Sequence, residues 1–168
     1  NGVLDTTFDG DGKVQTDFGT SSNISSLIKQ TDGKLVVGGY IQNPSSGNHD
    51  FILARYATNG ALDTAFDGDG WITTDFGGND WLDEIIQQPN GKLVAVGDNF
   101  NSATGHCDFQ LARFLPSGIL DTTFGGDGKV STDSGGDDCD ESLIQQADGK
   151  LLLVGFGYSQ TSGDYDFQ

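Results

Sequence analysis

The chain has no methionine, two cysteines, three prolines and only eight lysines and arginines. Just two of its 25 acids are glutamates, Glu84 and Glu141. No apolar run approaches the roughly 20 residues a membrane helix needs, and no signal peptide opens the chain. Glutamate favours helices, whereas aspartate caps turns by accepting hydrogen bonds from nearby backbone amides. Scarce Glu beside abundant Asp and 26 glycines therefore predicts loops and turns with almost no helix. The net charge of −17 repels nucleic acid and anionic membrane surfaces and attracts cations. Few lysines and no methionine fit an extracellular setting. Without an initiator residue the chain reads as a processed protein, an excised fragment or the ordered part of something longer.

What is present is repetition. Written in blocks of 58 with no gaps, the chain opens NGVLDTTFDGDGKVQTDFG, then NGALDTAFDGDGWITTDFG from Asn59, then SGILDTTFGGDGKVSTDSG from Ser117. The block middles match as IKQTDGKLVVGG, IQQPNGKLVAVG and IQQADGKLLLVG, and the ends as NHDFILARY, HCDFQLARF and DYDFQ. The units are 1–58, 59–116 and 117–168, the last cut short in its final strand.

Each block reads as four strands. The first is Lys13–Phe18 and the second about Ser25–Gln30. An Asp32-Gly33 turn follows, repeated as Asn90-Gly91 and Asp148-Gly149, dipeptides that suit a type I′ hairpin. The third strand is Lys34–Ile41 and the fourth Asp50–Ala57. The third strand is continuously apolar in every block, which marks burial on both faces. One four-stranded sheet achieves that only with another sheet stacked on each side. The expected fold is therefore all-β and of β-propeller type, with three four-stranded antiparallel blades of 58 residues. A β-solenoid is the runner-up, although its repeats are shorter and lack a hairpin per unit.

LDTTFDGDGKV, the TDFG after it, the DGKLVVGG hairpin and DFILARY together resemble the bacterial delta-60 repeat across essentially the whole chain. That family is similar to β-propellers and occurs in long tandem arrays on large bacterial proteins. The resemblance implies no established activity.

Propellers close with four to eight blades, so three leave an open arc with an apolar face bare at each end. Those faces are expected to be covered by further blades of the same chain or by a second copy, a C₂ pair of arcs making a six-bladed ring.

The candidate sites are acidic or aromatic. Asp9 with Asp11, and Asp67 with Asp69, offer paired carboxylates on Gly-rich DGDG loops, as calcium loops do; block three keeps only Asp127. The competing reading is a recurrent Asp-Gly turn. Arg55 and Arg113 in the fourth strands are expected to pair with carboxylates. Residues that differ between blocks point to ligands or partners. Trp71 stands where other blocks have Lys13 and Lys129, and Trp81 where they have Asn23 and Cys139. Either tryptophan suits packing, a sugar ring or a partner. Asp137, Asp138, Asp140 and Glu141 form an acidic stretch read as a solvated loop or a cation site. Cys107 and Cys139 fall on one rim of adjacent blades, where they read either as a disulfide stapling the blades or as two free thiols. No nucleophile elbow, HExxH or phosphate loop is present.

The composite expectation is a non-catalytic, secreted or bacterial cell-surface module for binding or assembly, with calcium as its candidate ion. Its expected partners are copies of itself, a glycan or a surface protein. The alternatives are a fragment of a propeller glycoside hydrolase or lyase, and a structural spacer or fibre component.

Overall fold

The computed structural model describes residues 2–102, 104–133, 136, 138–159 and 163–167. It is all-β. Eleven strands run in chain order: β1 Ser22–Lys29, β2 Leu35–Gln42, β3 His49–Tyr56, β4 Trp71–Thr74, β5 Asn79–Gln87, β6 Leu93–Asn101, β7 His106–Phe114, β8 Lys129–Thr132, β9 Asp138–Gln145, β10 Leu151–Ser159 and β11 Asp164–Phe167. They form antiparallel sheets ordered β1-β2-β3-β4, β5-β6-β7-β8 and β9-β10-β11. The sheets stack face to face as an open arc of propeller type. No helix among the described residues is long and apolar enough to cross a membrane.

The sheets are out of phase with the sequence blocks. The segment read as the first strand of a block is in fact the closing strand of the preceding sheet. Trp71–Thr74 pairs with β3, Ala54 lying opposite Trp71, and Lys129–Thr132 pairs with β7. The equivalent segment at 13–18 forms no strand. A 58-residue period fixes spacing but not phase. Here phase is set by the linking segment, which folds back on the sheet it leaves. Asp63 N donates to Arg55 O at 2.9 Å, and Arg55 N to Gly70 O at 2.9 Å. These bonds lay residues 71–74 antiparallel along β3.

The hairpin between the inner and middle strands also differs from expectation. A type I′ turn needs positive φ at both central residues. Only the glycine has it, with φ of 88° at Gly33 and 82° at Gly91. Gln30 N donates to Lys34 O at 2.8 Å and Gly33 N to Gln30 O at 3.0 Å, a three-residue loop ending on a left-handed glycine. Asp32 Oδ1 accepts from Lys34 N, so the aspartate caps the turn instead of adopting its strained conformation.

The middle strands bear out burial on both faces where a sheet has neighbours on both sides. In β6, Leu93, Val94, Ala95 and Val96 are all at 0% exposure. In β2 Val36, Gly38, Gly39 and Ile41 are buried, while Leu35 and Val37 are half-buried. In β10, Leu152 and Val154 are exposed. One core joins the first two sheets through Val36, Phe51, Leu53, Leu82 and Ile85. A second joins the next pair through Val94, Val96, Leu111 and Leu143. Each such side chain contributes about 1.5–3 kcal/mol on leaving water.

The inner strand of each sheet carries a β-bulge, between Ile24 and Ser26, between Leu82 and Glu84, and between Asp140 and Ser142. A Cβ on Gly39 would run into the Asn23 carbonyl beside the first bulge, and one on Gly97 into the Trp81 carbonyl beside the second. The bulges release amides toward the neighbouring sheet. Ile85 N donates to Ser26 Oγ at 3.1 Å, and Leu143 N to Glu84 Oε2 at 2.6 Å.

Candidate functional site

The structure gathers acidic side chains where one sheet hands the chain to the next. Asp50 is the second residue of β3, Asp75 follows the end of β4, and Asp80 is the second residue of β5. Their carboxylates offer oxygens that all lie within 4.8 Å of one another. Asp108, Asp133 and Asp138 repeat the cluster at the next interface, each one period later. In each cluster one aspartate is buried on the inner strand and one is exposed after the closing strand.

Local chemistry explains how such acids survive there. Asp80 is at 0% exposure. It accepts from Phe76 N at 2.7 Å and from Asn99 Nδ2. Burial nevertheless pushes its carboxyl up to about 6, those hydrogen bonds resisting and the charges of Asp75 and Asp50 adding to the rise. Asp50 is raised by burial, against a hydrogen bond from Asn43 Nδ2 at 2.8 Å and the nearby His49. Asp108 is raised by burial and by Asp133 and Asp138, against His106. Crowded, partly desolvated carboxylates of this kind either hold a proton or accept a cation. The second cluster opens on a cavity of about 290 Å³ lined by Asn101, Thr104, His106, Asp108, Asp133 and Gly136.

The DGDG carboxylates belong to neither cluster. Asp11, Asp69 and Asp127 each accept from the backbone amide two residues on, that of Lys13, Trp71 and Lys129. Asp9 and Asp67 have left-handed backbones with φ of 51°. Their amides donate to Asn59 O and Ser117 O at 2.7 Å, tying each linking loop to the turn that opens the following block. These contacts are those of a recurrent turn.

Trp71 starts β4, half-buried, with its ring 5.3 Å from that of Phe18. Trp81 lies in β5 of the next sheet, its ring 6.1 Å from His49. The two tryptophans thus belong to different sheets and different contacts. Asp138, Asp140 and Glu141 lie in β9, a strand where a loop was expected, and Asp137 lies outside the described residues. Of this stretch, Asp138 enters the second cluster. Cys107 lies within β7 and Cys139 within β9, both half-buried, and their sulfurs are not joined in this structure.

The arginines do pair with carboxylates. Arg55 Nε bonds Asp63 Oδ2 at 2.7 Å, Lys34 Nζ reaches the same oxygen at 2.8 Å, and the guanidinium lies over Phe66. Arg113, Lys92, Asp121 and Phe124 repeat the arrangement. The Lys92 ammonium and Thr123, with Arg113 behind them, hold Asp121 far below the ordinary carboxylate range. This knot fastens the linking segment to its sheet.

Of the six clustered carboxylates, sequence reading singled out Asp138 alone and missed the clusters as such. A signal was present: Asp50 recurs as Asp108, Asp75 as Asp133 and Asp80 as Asp138. Only folding shows that these positions converge.

A family described as a domain of unknown function (DUF5122) beta-propeller matches residues 30–66 and 88–124. This supports a β-propeller repeat family, and each match runs from the inner hairpin through the linking segment. The solved endo-arabinase from Bacteroides thetaiotaomicron VPI-5482 is similar in structure, with a TM-score of 0.48 at 14% sequence identity. The likeness covers 94% of this chain and 58% of that one. No curated protein matches the chain.

Proposed function

We propose that the chain is a non-catalytic repeat module of a secreted or bacterial cell-surface protein, of the delta-60 kind, serving binding or assembly and stabilised by calcium. The observation that carries this reading is the recurrence of the three-aspartate cluster at both sheet interfaces. Features shared between repeats are architecture, whereas a catalytic acid pair is needed only once. Oxygen-only donors favour a hard cation over zinc or copper. Asp50, Asp75 and Asp80 would hold one ion and Asp108, Asp133 and Asp138 another, each ion bridging adjacent sheets. An ion there would offset the burial, and with it the neighbouring charge, that raises Asp50, Asp80 and Asp108.

Assembly follows from the end faces. Ile24 and Leu27 are exposed on one and Leu152 and Val154 on the other. Their counterparts one period away, Leu82, Ile85, Val94 and Val96, are buried between sheets. The partners that fit these faces are sheets of the same repeat, from the same chain or another copy. A spacer role in a large surface protein is compatible with this chemistry; a hydrolase would need an acid pair particular to one sheet.

The test is a thermal melt in calcium, in magnesium and in chelator. Saturation at about 100 times the dissociation constant adds about 2.7 kcal/mol, so calcium should raise the melting temperature by several degrees. The Asp80→Asn, Asp138→Asn double variant should lose that rise. A wild-type melt indifferent to calcium removes the ion from the proposal.

A further inference from the structure

The two cysteines gain a meaning from the repeat that neither has alone. Residue 107 is one period beyond His49, and residue 139 one period beyond Trp81. His49 and Trp81 meet across the first sheet interface, with ring centroids 6.1 Å apart. They sit beside the first carboxylate cluster, His49 next to Asp50 and Trp81 next to Asp80. Cys107 and Cys139 hold the same stations at the second interface, next to Asp108 and Asp138. There β7 packs beside β9 as β3 packs beside β5. Both cysteines are half-buried, so a small reagent reaches the site while the flanking strands fix its direction.

We propose that Cys107 and Cys139 are a cross-linking pair, forming a disulfide that clasps the second and third sheets where an aromatic pair clasps the first and second. An imidazole and an indole fill the gap at the first interface by bulk. A disulfide at the equivalent stations is a shorter link, holding Cα atoms about 4.4–6.8 Å apart. The reaction is thiol–disulfide exchange with a small-molecule disulfide. One cysteine thiolate attacks the reagent and expels one thiol. The second cysteine then attacks the mixed disulfide and expels the other. The two protein thiols give up two protons and two electrons, and the reagent leaves as two thiols.

The experiment equilibrates the whole chain with oxidised glutathione and follows thiol titration, intact mass, non-reducing electrophoresis and melting. The expected product is a monomer with no titratable thiol, a mass lower by two hydrogens and a melting temperature higher by several degrees. Dithiothreitol should reverse all of these. Cys139→Ser should melt alike with and without oxidant. Moving the pair, as His49→Cys with Trp81→Cys in a Cys107→Ser, Cys139→Ser background, should cross-link the first interface too. Thiols that stay titratable in the wild type, or that pair only between molecules, overturn the proposal. A transplanted pair that remains reduced overturns the structural equivalence on which it rests.

Discussion

The two sheet interfaces are built on one plan and filled with different chemistry. At the first, Val36, Phe51, Leu53, Leu82 and Ile85 are all essentially inaccessible, and the tilted Phe76 ring packs 5.1 Å from that of Phe51. At the second, among the described residues, Val94, Val96, Leu111 and Leu143 are buried, with Ile86, Phe124, Val130, Leu151 and Leu153 partly buried against them. The sequence differs between them at a described position: Gly38 of the first interface becomes Val96 at the second. Residues common to the repeats set the geometry of an interface; residues that change set its strength.

The sharpest way to break this comparison is at Gly38 and Leu82. A Cβ on Gly38 would strike Ile85 Cδ1 and come within 3.0 Å of Leu82 Cδ2. The first interface therefore pairs a missing side chain with a large one. Leu82→Ala should cost about 3–4 kcal/mol in urea denaturation through lost transfer energy and a cavity. Gly38→Val alone should cost about 1–3 kcal/mol through overpacking. Combined, they should destabilise by clearly less than the sum, because valine then fills the space the leucine vacates. Strict additivity would mean that the two positions do not share that space.

A middle-sized effect separates the interfaces by pH. The Asp80 carboxyl lies at about 6 in the folded chain and near 3.8 as a free side chain. The folded state therefore holds a proton that the unfolded state has released. With chelator present, this term favours folding below about pH 4 and fades as pH climbs to about 6, by roughly 2 kcal/mol. Acids held low, such as Asp63 and Asp121, act in the opposite sense, losing their contribution as pH falls below 4. The window from 4 to 6 thus isolates the raised carboxyls. Asp80→Asn should flatten the slope there in denaturation curves taken at several pH values. An unchanged slope would assign the titration to other acids.

Much of this was legible beforehand, and the rest was hidden for physical reasons. Stacked sheets could be read because KLVVGG, KLVAVG and KLLLVG are apolar on both faces, and β6 is buried on both. The arginine knot could be read from Arg55 and Arg113 recurring with Asp63 and Asp121. Phase could not, since a period has no origin and the closing strand is placed by hydrogen bonds within the linking segment. The hairpin type was misread because Asp32-Gly33 suits two turns, and Thr31 joins the loop. The carboxylate clusters were invisible because Asp50, Asp75 and Asp80 come from three strand ends, whereas Asp9 and Asp11 are adjacent and conspicuous. Proximity in sequence picked out the DGDG pairs, whereas the clusters show themselves only by proximity in space.

The smallest expected effect concerns the amides freed by the bulges. Ile85 N–H donates to the neutral Ser26 hydroxyl at 3.1 Å, and Leu143 N–H to the Glu84 carboxylate at 2.6 Å. Glu84 also accepts from Ser142 Oγ at 3.1 Å. Hydrogen bonds to a charged acceptor contribute about 1.5–3 kcal/mol against about 1 for neutral pairs. Glu84→Ala should therefore cost about 1–2 kcal/mol, and Ser26→Ala about 0.5–1 kcal/mol. Glu84→Gln should recover part of the loss, because the amide oxygen still accepts from Leu143 N–H. Amide exchange at Leu143 should quicken in Glu84→Ala while that at Ile85 holds steady. If both amides quicken together, the two interfaces open as one unit.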